Sequence, residues 1–208
     1  MRSILANYLK IEAKAVRFSY NDYGKPLLDS SHNNYRVSFN LSHSSEIAAL
    51  AVCAAEPLGI DIEMIRRTVK FRELAKRYFS QAESDFISNI PESRLQQTFY
   101  RIWTCKEAYL KGHGRGLSLP LDGFDVTVGE DRIPLLEASR IDPEDPRYWQ
   151  FREIPCHADY MCTLAYAGRI DNIRIREYAG FSHKDPSNLT GPSPKPDCEV
   201  VPKTGQGS

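Results

Sequence analysis

The chain has 208 residues, 41% hydrophobic and 26% charged, proportions typical of an ordinary globular domain rather than of a disordered or fibrous protein. Its 27 basic and 27 acidic residues cancel, which excludes the global basic field that drives nucleic-acid binding, so any anion site must be local. No apolar run is long enough to span a bilayer and the polar start is no secretory signal, which predicts a cytoplasmic protein with no membrane partner. The five cysteines form no Cys-x-x-Cys pair, so we expect reduced thiols rather than a disulfide framework or a zinc knuckle.

The N-terminal part is predicted to contain one helix and three strands. The helical pattern covers residues 2–9, and the strand patterns cover residues 16–20, 36–41 and 47–53. The polar run from Ser42 to Ser45 is expected to be a loop between the second and third strands. It would present hydroxyl groups and the His43 imidazole.

The run GIDIE, at residues 59–63, is the first of two acidic motifs. In an extended strand Asp61 and Glu63 point to one face, while the intervening isoleucines point to the other. Acids that alternate along a strand usually form a solvated surface. The motif by itself is therefore a weak indication of a site.

Three helices are predicted next. Apolar spacing indicates a helix over residues 71–79, and Ser80 followed by Glu83 is a capping-box signature that opens a helix ending near residue 90. Pro91 separates that helix from a long one over residues 93–111, which a glycine at position 112 would terminate.

The long helix carries the second acidic motif. Trp103, Glu107 and Lys111 are four residues apart, so their side chains form one stripe along the helix. A surface Glu–Lys pair, worth about 0.3–0.5 kcal/mol, explains the same spacing. If the acidic strand faces the stripe, three carboxylates converge in the oxygen-ligand arrangement expected for magnesium beside a phosphorylated substrate.

The C-terminal part alternates strands with turns. Strands are predicted at residues 124–128, 148–153, 160–166 and 173–178. After about residue 180, prolines among polar residues leave too few apolar groups to offset the entropy of ordering, which predicts a disordered tail over residues 181–208.

Four motifs occur together in one order: FNLSHS at 39–44, GIDIE at 59–63, FSQAE at 79–83 and WTCKEAYLKGHGRGLSLPL at 103–121. With YGKP at residues 23–26, they make the chain resemble the 4′-phosphopantetheinyl transferases of the surfactin-synthetase-activating type, relatives of the holo-acyl-carrier-protein synthases. The resemblance runs from residue 1 to about residue 168. It implies an enzyme that moves the phosphopantetheine arm of coenzyme A onto a serine of an apo acyl, peptidyl or aryl carrier protein and releases adenosine 3′,5′-bisphosphate.

The resemblance also implies an α+β fold, a pseudo-dimer of two similar α/β halves with coenzyme A in the cleft between them. Residues 1–55 would be the remainder of the N-terminal half and residues 56–180 the catalytic half. Such transferases carry a further N-terminal stretch before the helix that begins here at Arg2, so we expect a truncated first half and weak coenzyme binding. Because relatives fuse two halves in one chain, a monomer is expected.

The family's site residues can be carried onto matching positions of this sequence. The magnesium ligands would be Asp61, Glu63 and Glu107, and manganese would suit the same oxygen ligands. Glu107 would also take the proton of the attacking serine, and Lys111 would stabilise the leaving phosphate. The groups implied to contact the coenzyme are Lys25, Ser42, His43, Lys106 and Lys111.

Two other functions remain open from the sequence. The chain could be a non-catalytic module that binds coenzyme A or a carrier protein and has lost turnover through truncation. It could also be a magnesium-dependent phosphohydrolase, since three carboxylates do not distinguish transfer to serine from transfer to water. Carrier-dependent product formation separates these functions.

Overall fold

The structure is a computed structural model that describes residues 1–31, 33, 36–54, 57–129, 132–177 and 197–204. Within these residues four α-helices and eleven strands form the α+β fold that the resemblance implied. The elements are α1 (Arg2–Leu9), β1 (Phe18–Tyr20), β2 (Pro26–Leu28), β3 (Val37–Ser44), β4 (Ile47–Ala54), β5 (Leu58–Met64), α2 (Phe71–Tyr78), α3 (Gln81–Asn89), α4 (Glu92–His113), β6 (Phe124–Gly129), β7 (Arg132–Ser139), β8 (Trp149–Glu153), β9 (Tyr160–Ala167), β10 (Asn172–Ile175) and β11 (Asp197–Thr204). No described helix is both long and apolar enough to cross a membrane.

The first sheet has the strand order β10–β11–β4–β3. Strand β4 pairs antiparallel with β3 on one side and with β11 on the other, and β10 lies parallel to β11. Apolar residues of α1 pack against β3 and β4 in a cluster that includes Leu5, Phe39 and Val52. This sheet carries Ser42 on its β3 edge.

Strand β11 overturns part of the prediction of a disordered tail. Residues 198–204 pair with β4 along its length, and Cys198 and Val200 are buried. The proline-rich composition misled the prediction because burial of these alternate residues against β4 stabilises a strand that the low apolar content did not indicate. The rest of the predicted tail lies outside the described residues.

The second sheet holds the acidic strand. Its order is β5–β9–β8, with both pairs antiparallel, and Asp61 lies opposite Thr163. Helix α4 packs across this sheet. A third, two-stranded unit, the β6–β7 hairpin, packs with α2, α3 and α4 around an apolar cluster that contains Phe99, Phe124 and Phe151.

Two glycines let α4 approach β5 closely. A Cβ atom on Gly59 would lie 2.1 Å from the Ala108 carbonyl oxygen, and one on Gly112 would lie 2.5 Å from the Trp149 ring. Larger residues would therefore push the helix off the sheet. This contact sets the spacing between the acidic strand and the helix that carries Glu107.

The predicted capping box is present: the Ser80 hydroxyl accepts from the Glu83 amide, and the Glu83 carboxylate accepts from the Ser80 amide. The predicted end of the long helix is wrong by two residues. Gly112 lies inside α4, and Gly114 ends the helix with φ 70°, the left-handed conformation that glycine adopts at low cost. Packing against Trp149 explains the internal glycine.

The loop predicted at Ser42–Ser45 is also wrong. Strand β3 continues through Ser44, and the turn to β4 consists of Ser45 and Glu46. Pairing of His43 with Ala48 and Ser44 with Ile47 supplies the backbone hydrogen bonds that polar composition did not predict. Ser42 and Ser44 therefore share one face of a strand.

Candidate active site

Asp61 is the most buried acid of the site, with 2% of its surface exposed. Its Oδ1 accepts hydrogen bonds from the Lys111 ammonium, at 2.6 Å, and from the Ser42 hydroxyl, at 3.0 Å. Its Oδ2 is buried without a hydrogen-bond partner. Burial raises the pKa of Asp61, and the Lys111 charge opposes that shift.

Glu63 and Glu107 border the same region. The Glu63 carboxylate accepts a 2.8 Å hydrogen bond from the Ser44 hydroxyl. Burial raises the pKa of both glutamates, and the charge of Asp61 raises each further. The negative charges of the three acids therefore interact, as expected if the acidic strand faces the helix stripe.

This donor set fits a hard divalent cation. No three His, Cys, Asp or Glu side chains within the described ranges already stand in a metal-binding arrangement. However, Asp61 Oδ2 is a buried oxygen without a partner, and buried acids with raised pKa values gain most from a neighbouring cation. The candidate ligands are carboxylate oxygens, which magnesium and manganese prefer.

Lys111, Ser42 and Asp61 are joined by hydrogen bonds at one side of the site. Lys111 Nζ lies 2.7 Å from Ser42 Oγ as well as 2.6 Å from Asp61 Oδ1. An ammonium has three N–H groups, so one remains available after these two contacts. Since 31% of the Lys111 side chain is exposed, that donor can reach a ligand.

A cavity of about 560 Å³ opens beside these residues. Its walls come from the 23–26 loop, the edge of β3, the end of α2, the last turns of α4 and the 114–122 segment. Glu107 and Lys111 lie in its wall with Lys25, whereas Tyr78 and Leu110 supply apolar surface. The cavity is therefore mainly apolar with a few convergent charges, as is common for small-molecule sites.

Lys25 lies in the cavity wall, but two of the three N–H groups of its ammonium are hydrogen-bonded within the protein. It donates to the Gly112 carbonyl at 2.8 Å and to the Leu58 carbonyl at 3.2 Å. Burial lowers the pKa of Lys25 to about 8. Lys25 thus fastens the end of α4 to β5, with one N–H left for a ligand.

The burial of Lys106 contradicts its predicted role in binding the phosphates of coenzyme A. Its side chain is 0% exposed, and its ammonium pairs with Glu83 at 2.8 Å. It also donates to the carbonyls of Leu121 and Phe124. Because successive helix residues are about 100° apart, Lys106 points into the core while its neighbour Glu107 faces the cavity.

His43 is exposed on the face of β3 opposite Ser42 and Ser44. It shares that face with Leu41, which lines the cavity. Because Asn40 of the opposite face lines the cavity too, the strand faces do not assign His43 to the cavity, and His43 lies outside both its lining and the acidic cluster. Trp103, the first residue of the predicted helix stripe, stacks on Phe99 with ring centroids 5.8 Å apart.

Sequence reasoning missed Ser44 and Asn21. The Asn21 side chain donates to the Gly114 carbonyl at 2.6 Å and so caps α4 beside the site. Ser44 belongs to the polar run that predicts a loop, although the spacing of Asn40, Ser42 and Ser44 is the two-residue period of a strand. That alternation was the available signal.

Comparisons with known proteins identify the family of this chain. A profile of the 4′-phosphopantetheinyl transferase superfamily matches residues 57–165. The chain is 42% identical over 168 residues to the 4′-phosphopantetheinyl transferase HetI of Nostoc sp., a match that covers 81% of this chain and 68% of HetI. It is 34% identical over 157 residues to Sfp of Bacillus subtilis, covering 74% of this chain and 65% of Sfp.

The chain belongs to the 4′-phosphopantetheinyl transferase superfamily, in its Sfp type, which confirms the resemblance and the prediction of an enzyme of this class. The matched region spans about two thirds of the length of these two relatives. Among solved structures, the holo-[acyl-carrier-protein] synthase of Thermotoga maritima is similar with a TM-score of 0.44 and 18% identity, over 54% of this chain and 63% of that one.

Proposed function

We propose that this chain transfers the 4′-phosphopantetheine moiety of coenzyme A to a serine hydroxyl of an apo acyl, peptidyl or aryl carrier protein and releases adenosine 3′,5′-bisphosphate. The observation that carries the proposal is the position of Glu107 and Lys111 in the wall of the 560 Å³ cavity, with Asp61 bound to Lys111 behind that wall, inside the segment that matches the family. Family membership favours this function over the non-catalytic binding module.

Magnesium, or manganese, would be held by Asp61, Glu63 and Glu107. When bound, the ion would neutralise charge on the pyrophosphate of coenzyme A. Asp61 Oδ2 supports this assignment because the buried oxygen has no hydrogen-bond partner. The carboxylates otherwise raise one another's pKa values, a cost that a cation would remove.

Glu107 would act as the general base. Its carboxylate faces the cavity, where it could accept the proton of an attacking serine hydroxyl. In the proposed step the serine oxygen forms a bond to the β-phosphorus, the bond from that phosphorus to the bridging oxygen breaks, and the serine proton passes to Glu107. The released product carries away the electron pair of the broken bond.

Lys111 would stabilise the leaving phosphate. Its third N–H is available beside the cavity, and its ion pair with Asp61 holds the ammonium in place before substrate arrives. Such preorganised charge is worth more in a partly buried site than in water. Lys25 would border the coenzyme as part of the cavity wall, Ser42 would act by holding the Lys111 ammonium, and His43 would meet the coenzyme from the exposed side of β3.

The partner surface is proposed to lie beside the acidic strand. The segment from residue 66 to residue 77 follows Glu63 closely and has one acid, Glu73, against six exposed cations. These cations are Arg66, Arg67, Lys70, Arg72, Lys76 and Arg77. Charge complementarity favours a carrier protein with an acidic face.

We further propose that the protein is a cytoplasmic monomer with two similar halves. Size-exclusion chromatography tests whether it is a monomer.

The test is intact-mass spectrometry of an apo carrier protein incubated with coenzyme A, magnesium and this chain. A gain of roughly 340 Da, one phosphopantetheine arm, that requires magnesium is expected, and no gain on several carriers would contradict the proposal. Release of phosphate or nucleotide without a carrier would indicate a phosphohydrolase instead.

The matched variants are Glu107→Gln and Glu92→Gln. Both lie on α4, but Glu92 is exposed and pairs with Arg72 on the surface. We expect Glu107→Gln to slow transfer by about 100- to 10,000-fold because the base is lost, with Glu92→Gln near wild type. Wild-type turnover by Glu107→Gln would remove Glu107 as the base.

A further inference from the structure

Strands β3 and β5 belong to different sheets, yet they lie side by side. Side chains of β3 accept hydrogen bonds from alternate backbone amides of β5, so they substitute for a backbone ladder between the two edges. We call these three bonds the β3–β5 side-chain ladder. They are Ile60 N–H to Asn40 Oδ1 at 2.9 Å, Ile62 N–H to Ser42 Oγ at 3.3 Å, and Met64 N–H to Ser44 Oγ at 3.0 Å.

Two members of the ladder also reach the acidic cluster. The hydroxyl of Ser42 donates to Asp61 and that of Ser44 donates to Glu63, at 3.0 and 2.8 Å. A serine hydroxyl has one proton to donate, and each of these two serines donates it to a carboxylate. Each serine therefore links a β5 amide to the carboxylate of the residue that precedes that amide.

We infer that Ser44 is a positioning residue of the proposed metal site. Asp61 is held by Lys111 as well as by Ser42, whereas Ser44 is the hydrogen-bond partner that the described structure gives Glu63. Glu63 has a longer, half-buried side chain, and fixing its rotamers before a ligand arrives removes part of the entropy cost of binding. The inference rests on the proposed function, because it concerns the same site.

A purely structural role for Ser44 predicts a different result. If Ser44 only joins the sheets, its loss weakens the Met64 amide contact and lowers stability without a specific effect on metal affinity. If it positions Glu63, metal affinity falls as well, by the 10- to 100-fold typical when a hydrogen-bond partner of a metal ligand is removed. Metal affinity thus separates the two roles.

The experiment titrates Mn²⁺ and Mg²⁺ into the full chain by calorimetry and follows Met64 amide exchange without metal. We expect Ser44→Ala to bind metal about tenfold more weakly and to exchange faster at Met64. Ser44→Thr keeps the hydroxyl and should restore both values. Ser38→Ala is the matched control, since Ser38 lies on β3 but outside the ladder.

Metal affinity of Ser44→Ala within about twofold of wild type would overturn the inference, as would an absence of metal binding by the wild-type chain. If Ser44→Ala does not fold, Ser44→Cys keeps the size of the side chain with a weaker donor and should bind metal more weakly than Ser44→Thr. Equal affinity of these two variants would also overturn it.

A parallel transfer assay on the wild-type chain separates this inference from the proposed function. Metal binding that weakens in Ser44→Ala, without any transfer to carrier proteins, would sustain the positioning role and reject the function. Transfer by the wild type, with unchanged metal affinity in Ser44→Ala, would reject the positioning role alone.

Discussion

Helix α4 carries two lysine–carboxylate pairs five residues apart, and they differ in how completely their polar atoms are satisfied. Lys106 and Glu83 lie 2.8 Å apart with 0% and 3% of their side chains exposed, and Lys106 also donates to two carbonyls. Lys111 and Asp61 lie 2.6 Å apart, but the Lys111 side chain is 31% exposed and Asp61 Oδ2 has no partner.

The difference distinguishes a structural pair from a site. Glu83 accepts from the Val126 amide with its second oxygen and caps α3, so the Lys106 ammonium and both oxygens of Glu83 are bonded within the protein. The Lys111 pair leaves one lysine N–H and one carboxylate oxygen unused beside the cavity. Burial alone does not mark function, whereas incomplete satisfaction next to a cavity does.

The largest effect on stability is expected from breaking the satisfied pair. Lys106→Met leaves Glu83 charged and buried without its cation, which should lower the free energy of unfolding by about 3–5 kcal/mol in a urea titration. The double variant Lys106→Met/Glu83→Gln should recover part of this loss because no charge is then buried unpaired. A loss below about 1 kcal/mol for the single variant would contradict the structural role of this pair.

Breaking the incomplete pair should instead lower activity. Lys111→Met removes a cation beside the proposed leaving phosphate, and we expect transfer to slow about 10- to 100-fold at saturating magnesium. Its melting temperature should fall less than that of Lys106→Met, because the buried Asp61, whose pKa is already raised, can take up a proton. Equal melting losses in the two variants would contradict the comparison.

The unused carboxylate oxygen predicts a link between pH and magnesium. The pKa values of Asp61, Glu63 and Glu107 are raised in the folded state, so their contribution to stability is largest below the unfolded pKa of about 4 and is lost as pH rises through the folded pKa. Without metal, thermal melts should therefore show that these groups make the protein more stable at pH 5 than at neutral pH.

Magnesium should raise the stability at neutral pH and flatten this slope, because the cation replaces the protons. Melts of Glu107→Gln provide the control, since one of the titrating acids is absent and the slope should be smaller. A slope that magnesium leaves unchanged would argue against a cation among these carboxylates.

The smallest effect is expected from the exposed cations that belong to neither pair. Arg66→Glu/Arg67→Glu should raise the KM for an acidic carrier protein a few-fold at low salt, with kcat little changed and the effect lost at high salt. Lys14→Glu, an exposed change in the turn at residues 13–15, should leave KM near wild type. An equal rise in both variants would remove the 66–77 segment as the partner surface.

The sequence predicted the elements that depend on local signals. The Ser80 capping box, helix α1 and the period of the GIDIE strand each rest on residues a few positions apart, and the structure confirms them. The two faces of α4 could not be separated in this way. The acidic motif placed Lys106 with Glu107, but the contact with Glu83 that buries it comes from another helix.

The same reason explains the errors in β3 and at the C-terminus. The polar composition of residues 42–44 is typical of a loop. It fits a strand only because Ser42 and Ser44 accept hydrogen bonds from the edge of β5, which is distant in the sequence. Strand β11 is stabilised by β4, about 150 residues earlier in the chain, which no local pattern reports.

The pairing of β5 with β9 has a consequence for the order of folding. Asp61 lies opposite Thr163 and Glu63 opposite Met161, so the acidic strand gains its sheet partner from a segment roughly 100 residues later. Closing so long a loop lowers the entropy of the chain before the contacts between β5 and β9 can offset the loss. The helices should form early, whereas the three acids should come together in a late, slow phase, so the proposed cation site would be completed only at the end of folding.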